Sequence, residues 1–141
     1  MEIEFNGFLK HAIKQYPKEA CAFLYSFKPY SSEERWIAWI VENISEDPRH
    51  SWIPNKKDVA KLRRWANEMG YVKIGNIHTH CLHGEKVKDM FEPSEIDLKF
   101  ARKFNDIIRG IVVCDKISIF GVAFHDKFGN DIDIKVEEKS K

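Results

Sequence analysis

The segment Tyr71-Val72-Lys73-Ile74-Gly75-Asn76-Ile77-His78-Thr79-His80 decides how this chain folds. It reads as a strand that finishes in two histidines. At positions i and i+2 of a strand, side chains point to the same face, so His78 and His80 can converge on one ion. Thr79 then turns into packing on the other face. Gly75 permits close approach of a neighbouring backbone. A lone His-x-His at a strand end equally fits two side chains that face water. The apolar run leading into this pair favours a site.

Working outward, Val59, Leu62, Trp65, Ala66 and Met69 recur at helical spacing, and Gly70 is placed to end that helix. Residues 43–55 carry two prolines and many turn formers, and predict an extended loop. Farther upstream, Cys21 to Phe27 and Trp36 to Val41 are apolar strands around a polar turn at Ser31 to Glu34. Phe5, Phe8, Leu9, Ala12, Ile13 and Tyr16 mark an opening helix before Pro17. Downstream, residues 81–93 form a polar loop. Ser94 opens a third helix, with Ile96, Phe100, Ala101 and Phe104 expected inward. Three strands close the chain, Ile107 to Cys114, Ile117 to Phe124 and Asp131 to Val136, with Gly129-Asn130 as the last turn. The order predicts one α/β domain around a mixed β-sheet flanked by helices, over residues 1–136, and a charged, frayed tail at 137–141.

The bulk properties suit a small enzyme. At 141 residues the chain holds one core. Hydrophobic residues make up 43% and aromatics 13%, which argues against disorder. Lys+Arg 23 against Asp+Glu 22 leaves a net charge of +1, which excludes binding to nucleic acid or a membrane surface by charge alone. No apolar run approaches the roughly 20 residues of a membrane span. The acidic start, Met1-Glu2-Ile3-Glu4-Phe5, does not resemble an export signal. Cys21, Cys81 and Cys114 are far apart with no CxxC, so reduced thiols and a cytoplasmic location are expected.

Ser94-Glu95-Ile96-Asp97 is a helix-capping pattern in its own right. Capping would also fix Asp97 near the positive end of the helix, where it stays ionised and able to bind metal. His78, His80 and Asp97 then supply three ligands and leave a fourth position open, as a catalytic zinc site requires. Glu19 stands at the entrance to the apolar strand. Taken alone it reads as a surface acid, but a carboxylate against an apolar wall has a raised pKa, which suits a general acid/base. Together these residues predict a metal-assisted amide hydrolase.

In order along the chain, Pro17-Lys18-Glu19-Ala20-Cys21, Glu42-Asn43 with Glu46-Asp47-Pro48, Gly75-Asn76-Ile77-His78-Thr79-His80 and Pro93-Ser94-Glu95-Ile96-Asp97-Leu98 resemble the JAMM (MPN+) metalloprotease family, in its standalone prokaryotic form. The likeness spans about residues 5 to 124. It implies a zinc isopeptidase fold related to cytidine deaminases. It also implies cleavage of the amide bond after the C-terminal tail of ubiquitin or a ubiquitin-like modifier. By the resemblance His78, His80 and Asp97 are the ligands of one Zn2+, Glu19 is the general acid/base, and Ser94 donates to the oxygen of the tetrahedral intermediate.

The chain departs from the family pattern in three places. Cys81 stands where proline usually follows the second histidine, Ala22 stands where a glycine is usual, and the spacer to Ser94 is a long thirteen residues, 81–93. The Cys81 to Glu92 loop is expected to shape the substrate groove or act as a lid. Cys81 either binds zinc in the open position or, as alternation along a strand favours, turns away. A tail-binding groove is expected beside the strand ending at His78, filled by strand addition. Partners would be a ubiquitin-like protein or its conjugates, with a possible homodimer through the first helix or exposed Trp36, Trp39 and Trp52. His11, His50 and His125 are expected to be packing or surface residues. The competing readings are a peptidase that processes a sulfur-carrier or phage-tail-type protein, and a non-catalytic MPN scaffold. A zinc deaminase lacks its CxxC here, and the chain is too short for a barrel hydrolase.

Overall fold

The histidine-bearing segment lies inside the sheet, not at its margin. In the computed structural model, residues 2–5, 7–27, 35–103 and 106–137 are described. The elements are β1 (Glu2–Glu4), α1 (Phe8–Gln15), β2 (Cys21–Phe27), β3 (Arg35–Val41), α2 (Lys56–Met69), β4 (Tyr71–Cys81), a 3-10 turn (Val87–Phe91), α3 (Glu95–Lys103), β5 (Ile108–Cys114), β6 (Ile119–His125), β7 (Asp131–Ile132) and β8 (Lys135–Glu137). The strands form one mixed sheet in the order β7-β6-β5-β4-β2-β3-β1-β8. β4 runs antiparallel to β2 and parallel to β5. A parallel neighbour needs a crossover, and the segment carrying α3 provides it.

Alternation along the strands makes two faces. On one, Ala22, Leu24, Ile77, Val112 and Phe124 pack with Phe8 and Ala12 of α1. Those two helix residues are four apart and both fully buried. Truncating a buried aromatic such as Phe8 costs about 3–5 kcal/mol. On the other face, Cys21, Phe23, Tyr25 and Val41 pack against Ala66 of α2. Trp65 of α2 stacks on Tyr71, with centroids 4.6 Å apart and rings 24° from parallel. α2 is capped by Asn55 and ends at Gly70 in the left-handed region (φ 78°).

Gly75 is where β4 and β5 come closest. A Cβ there would lie 1.6 Å from the carbonyl oxygen of Ile108, so only glycine fits. Just before it the register slips, with Leu24 opposite Gly75 but Tyr25 opposite Lys73. This bulge sends Ile74 to the α1 face and swings Lys73 and Tyr71 to the α2 face.

The structure corrects several expectations. β1 precedes the first helix, which starts at Phe8 rather than Phe5. The last expected strand is two: β7 pairs with β6 at one end of the sheet, and β8 pairs with β1 at the other. Only residues 133 and 134 separate them, so the two ends of the sheet must come together and the sheet curls around α1. The pairing of β8 with β1 runs on through Glu137.

The inward side of α3 is also different. Ile96 and Phe100 are 65% and 43% exposed, and the buried residues are Asp97 and Ala101. Apolar spacing marked an inward face, but the helix instead turns its carboxylate to the sheet. Trp36 is buried, and Trp39 and Trp52 are partly buried. β4 is paired on both sides over Gly75 to His78, with β2 alone from Tyr71 to Lys73 and in register with β5 alone from Thr79 to Cys81, so no peptide can add beside the stretch that ends at His78. Phe104, the turn at Ser31 to Glu34 and residues 138–141 lie outside the described residues.

Candidate metal centre

His78 and His80 project from the α2 face of β4, and Thr79 points the other way. The Thr79 Oγ1 accepts from Ala20 N–H (2.9 Å), and its own N–H donates to Ala20 O (3.0 Å). That clamp fixes the chain just after Glu19 against the histidine strand. His80 Nδ1 lies 2.7 Å from Met90 O. A carbonyl can only accept, so Nδ1 carries the proton and Nε2 turns its lone pair inward. The His78 ring is held by Trp52, stacked at 5.7 Å and 26°.

Asp97 completes the group from the first turn of α3. Its backbone N–H donates to Ser94 Oγ and its Oδ2 accepts from Ser94 N–H, both at 3.0 Å, a reciprocal cap. The three side chains form a triangle, with Asp97 meeting one histidine through each of its two carboxylate oxygens. His78 Nε2 is 3.1 Å from His80 Nε2 and 3.4 Å from Asp97 Oδ1, and His80 Nε2 is 3.5 Å from Asp97 Oδ2. Tetrahedral zinc with nitrogen and oxygen ligands at about 2.0–2.1 Å separates its ligand atoms by roughly 3.3–3.4 Å. The triangle fits one face of that tetrahedron. Among the described residues, these are the one group of three His, Cys, Asp or Glu side chains close enough to hold a metal.

Electrostatics agree with the geometry. Burial raises the Asp97 carboxyl, but hydrogen bonds from His78, His80 and the Ser94 backbone outweigh it and hold Asp97 well below the usual carboxylate range. Burial lowers His78. His80 is also lowered by burial, but its bonds to Asp97 and Met90 prevail and raise it.

Glu19 is 7% exposed at the edge of the same cavity. Burial pushes its carboxyl up to about 8, opposed by His80 and reinforced by Cys81 and Asp97. Its backbone is pinned on both sides: Glu19 N–H donates to Pro48 O (2.5 Å) and Asn43 Nδ2 donates to Glu19 O (2.8 Å). Asn43 also donates to Ser51 O and accepts from the N–H groups of Ser45 and Ile53, so one side chain organises the 43–55 loop. The cavity, about 970 Å³, opens between that loop, α2 and α3, with Glu19, Trp52, His80, Ser94 and Asp97 at one end and Lys73 at the other.

The remaining expected residues fall outside the triangle. Cys81 donates its thiol to Lys18 O (3.5 Å) and pairs in register with Cys114, so it does not join the histidines. His83 lies near Tyr16 and His50 at the mouth. His125 is buried and His50 exposed, as expected. The sequence marked Trp52 only as an exposed residue for association, whereas it backs His78, and Arg109 was passed over. The signal for Arg109 was present: it is a lone charge inside an otherwise apolar strand, and it is 2% exposed.

Residues 4–122 match the family described as prokaryotic homologues of the JAB domain. The chain belongs to that family. Solved structures share the Prok-JAB fold seen here. A JAB1/MPN domain protein from Archaeoglobus fulgidus superimposes with a TM-score of 0.59 at 20% identity, covering 96% of this chain and 98% of that one. A protein from Desulfitobacterium hafniense gives 0.62 at 16% identity, covering 100% and 96%. One from Salinibacter ruber gives 0.61 at 18%, covering 97% and 92%. Likeness at these identities establishes the fold alone. No curated protein matches the chain significantly. Among the described residues, no helix of this Prok-JAB domain is long and apolar enough to cross a membrane.

Proposed function

We infer that this Prok-JAB domain is a zinc-dependent peptidase or isopeptidase that cleaves the amide bond following the C-terminal tail of a ubiquitin-like protein. The observation that carries the reading is the triangle of His78 Nε2, His80 Nε2 and Asp97 carboxylate oxygens with edges of 3.1–3.5 Å. Bound there, zinc would polarise the scissile carbonyl and make water acidic enough to attack near neutral pH.

The protein groups divide the rest of the work. In its ionised form Glu19 takes a proton from the attacking water and passes it to the leaving amine. Burial, which raises its carboxyl to about 8, makes it a stronger base for the first half of that transfer and keeps it an acid for the second. Ser94 Oγ accepts from Asp97 N–H, which leaves its own proton to donate to the oxygen on which charge develops. No cysteine is required as a nucleophile. The tail would lie in the cavity between α2 and α3, held by side chains and loops because the β4 stretch ending at His78 is already paired on both sides. The 81–93 segment reaches the site directly through Met90 O, which supports its role in shaping that cavity.

The test is incubation of the purified protein with conjugates of a ubiquitin-like protein, with and without a chelator. Cleavage that stops with chelator, returns with zinc, and falls by about 10²–10⁴ in Glu19→Gln while zinc still binds is expected. Chelator-insensitive cleavage would falsify the mechanism. Absence of stoichiometric zinc would favour the scaffold reading, and cleavage of an unconjugated carrier protein alone would favour the processing peptidase.

A further inference from the structure

The two halves of the metal triangle come from two different elements of the fold. The histidines are on β4. Asp97 is on α3, whose Ile96 and Phe100 are exposed along the cavity and whose buried apolar residue is Ala101. Spacings of 3.1–3.5 Å across two separate elements depend on whatever holds the strand and the helix in place.

Arg109 of β5 is placed to provide that hold. It pairs in register with Asn76, two residues before His78 on the same face of β4. Its Nε donates to Asn76 Oδ1 (2.9 Å), and its Nη1 donates to the backbone carbonyl of Asp97. Its guanidinium lies 5.9 Å from the centroid of Trp52, the ring stacked on His78. One planar cation thus touches the histidine strand, the aspartate helix and the ring that backs His78. The charge is matched nearby. Asp106 Oδ2 lies 3.6 Å from Arg109 Nε and accepts from Asn76 Nδ2 (3.0 Å), and Lys73 reaches its other oxygen at 3.9 Å.

We propose that Arg109 is a positioning residue that sets the distance between the histidine strand and Asp97, and so makes the metal triangle before any metal arrives. This rests on the metal-centre reading above. The guanidinium serves because its fixed fork reaches two acceptors at once, which a lysine ammonium cannot do in the same geometry. Asp106 keeps the cation neutralised in the interior but does not itself touch Asp97, so the two residues have separable roles.

The experiment compares wild type, Arg109→Gln, Arg109→Lys and Asp106→Asn. Zinc affinity is read by competition with a chromophoric chelator, thermal unfolding by circular dichroism, and amide hydrogen exchange across residues 97–102 on the metal-free proteins. Arg109→Gln should bind zinc about 10–100-fold more weakly and exchange faster within α3. Arg109→Lys should fall between it and wild type. Asp106→Asn should unfold at lower temperature, because it leaves a buried cation unpaired, yet keep zinc affinity within about threefold of wild type.

Wild-type affinity and wild-type exchange in either Arg109 variant overturns the proposal. So does a loss of affinity in Asp106→Asn equal to that in Arg109→Gln. If Arg109→Gln does not fold, Arg109→Lys decides by the same criteria. If wild type itself binds no zinc, the metal-centre reading falls instead, and exchange in the metal-free proteins still reports whether Arg109 braces α3.

Discussion

The two halves of the candidate metal centre are built on opposite principles. His78 and His80 ride on β4, which pairs with β2 as far as His78 and with β5 as far as Cys81, and is pressed so close to β5 that Gly75 admits no side chain. Asp97 rides on the nine-residue α3, which shows two of its large apolar residues to solvent and docks through a carboxylate, a capping serine and a contact from Arg109. The contrast teaches that one half is held by the core and the other by polar contacts. A rigid half can preset two ligands, and a loosely packed half can let a substrate and a metal reach the site.

The comparison breaks most sharply at Gly75. Gly75→Ala places a methyl group 1.6 Å from the Ile108 carbonyl, so β4 and β5 must part. Thermal or denaturant unfolding should show a loss of at least about 3 kcal/mol, and unchanged stability would refute the rigidity of the histidine half.

Ser94→Ala tests the helical half. Turnover should fall about 10²–10³-fold if the hydroxyl donates to the developing charge, against roughly 1 kcal/mol of stability from the lost cap. A large stability loss with near-normal turnover would reverse those roles.

A subtler effect comes from pH. The folded Glu19 carboxyl titrates near 8, against 4.5 as its ordinary value, so between these limits the folded metal-free protein holds a proton that the unfolded chain has lost. Stability therefore falls as pH rises through that window, by on the order of a few kcal/mol at most. Asp97 is ionised throughout it and adds no slope, and the histidine contributions cancel in a comparison with Glu19→Gln except for the part by which Glu19 itself raises His80. The stability advantage of Glu19→Gln over wild type should widen from pH 5 to pH 8. A constant difference would place Glu19 in contact with water.

The smallest effect on stability is expected at the exposed apolar side chains of α3 that line the cavity. Ile96→Ser and Phe100→Ser should each shift stability by no more than about 0.5 kcal/mol, since both side chains are largely exposed. A shift of several kcal/mol would mean that α3 is held by apolar packing after all.

Much of this was legible from residue order. The His-x-His parity is a property of any strand, and the Ser94–Asp97 cap is local to one turn, so both could be read without a fold. Gly70 and Gly75 were likewise legible, because glycine marks places where backbone geometry or close approach excludes a side chain. Glu19 was not legible by itself. Its raised pKa depends on burial that Asn43, Pro48 and Thr79 create from elsewhere in the chain.

Local chemistry thus determined the ligand types, the strand and helix that carry them, and a family resemblance that the Prok-JAB match bears out. Tertiary structure alone decided which way α3 faces and where the last strand goes. It also decided that β4 is already paired on both sides where it reaches His78, and that Arg109 stands between the halves. The reason is the range of the forces. Periodicity and capping act over a few residues, whereas the register of a parallel pair and the partners of a buried charge join residues many positions apart, which no local pattern encodes.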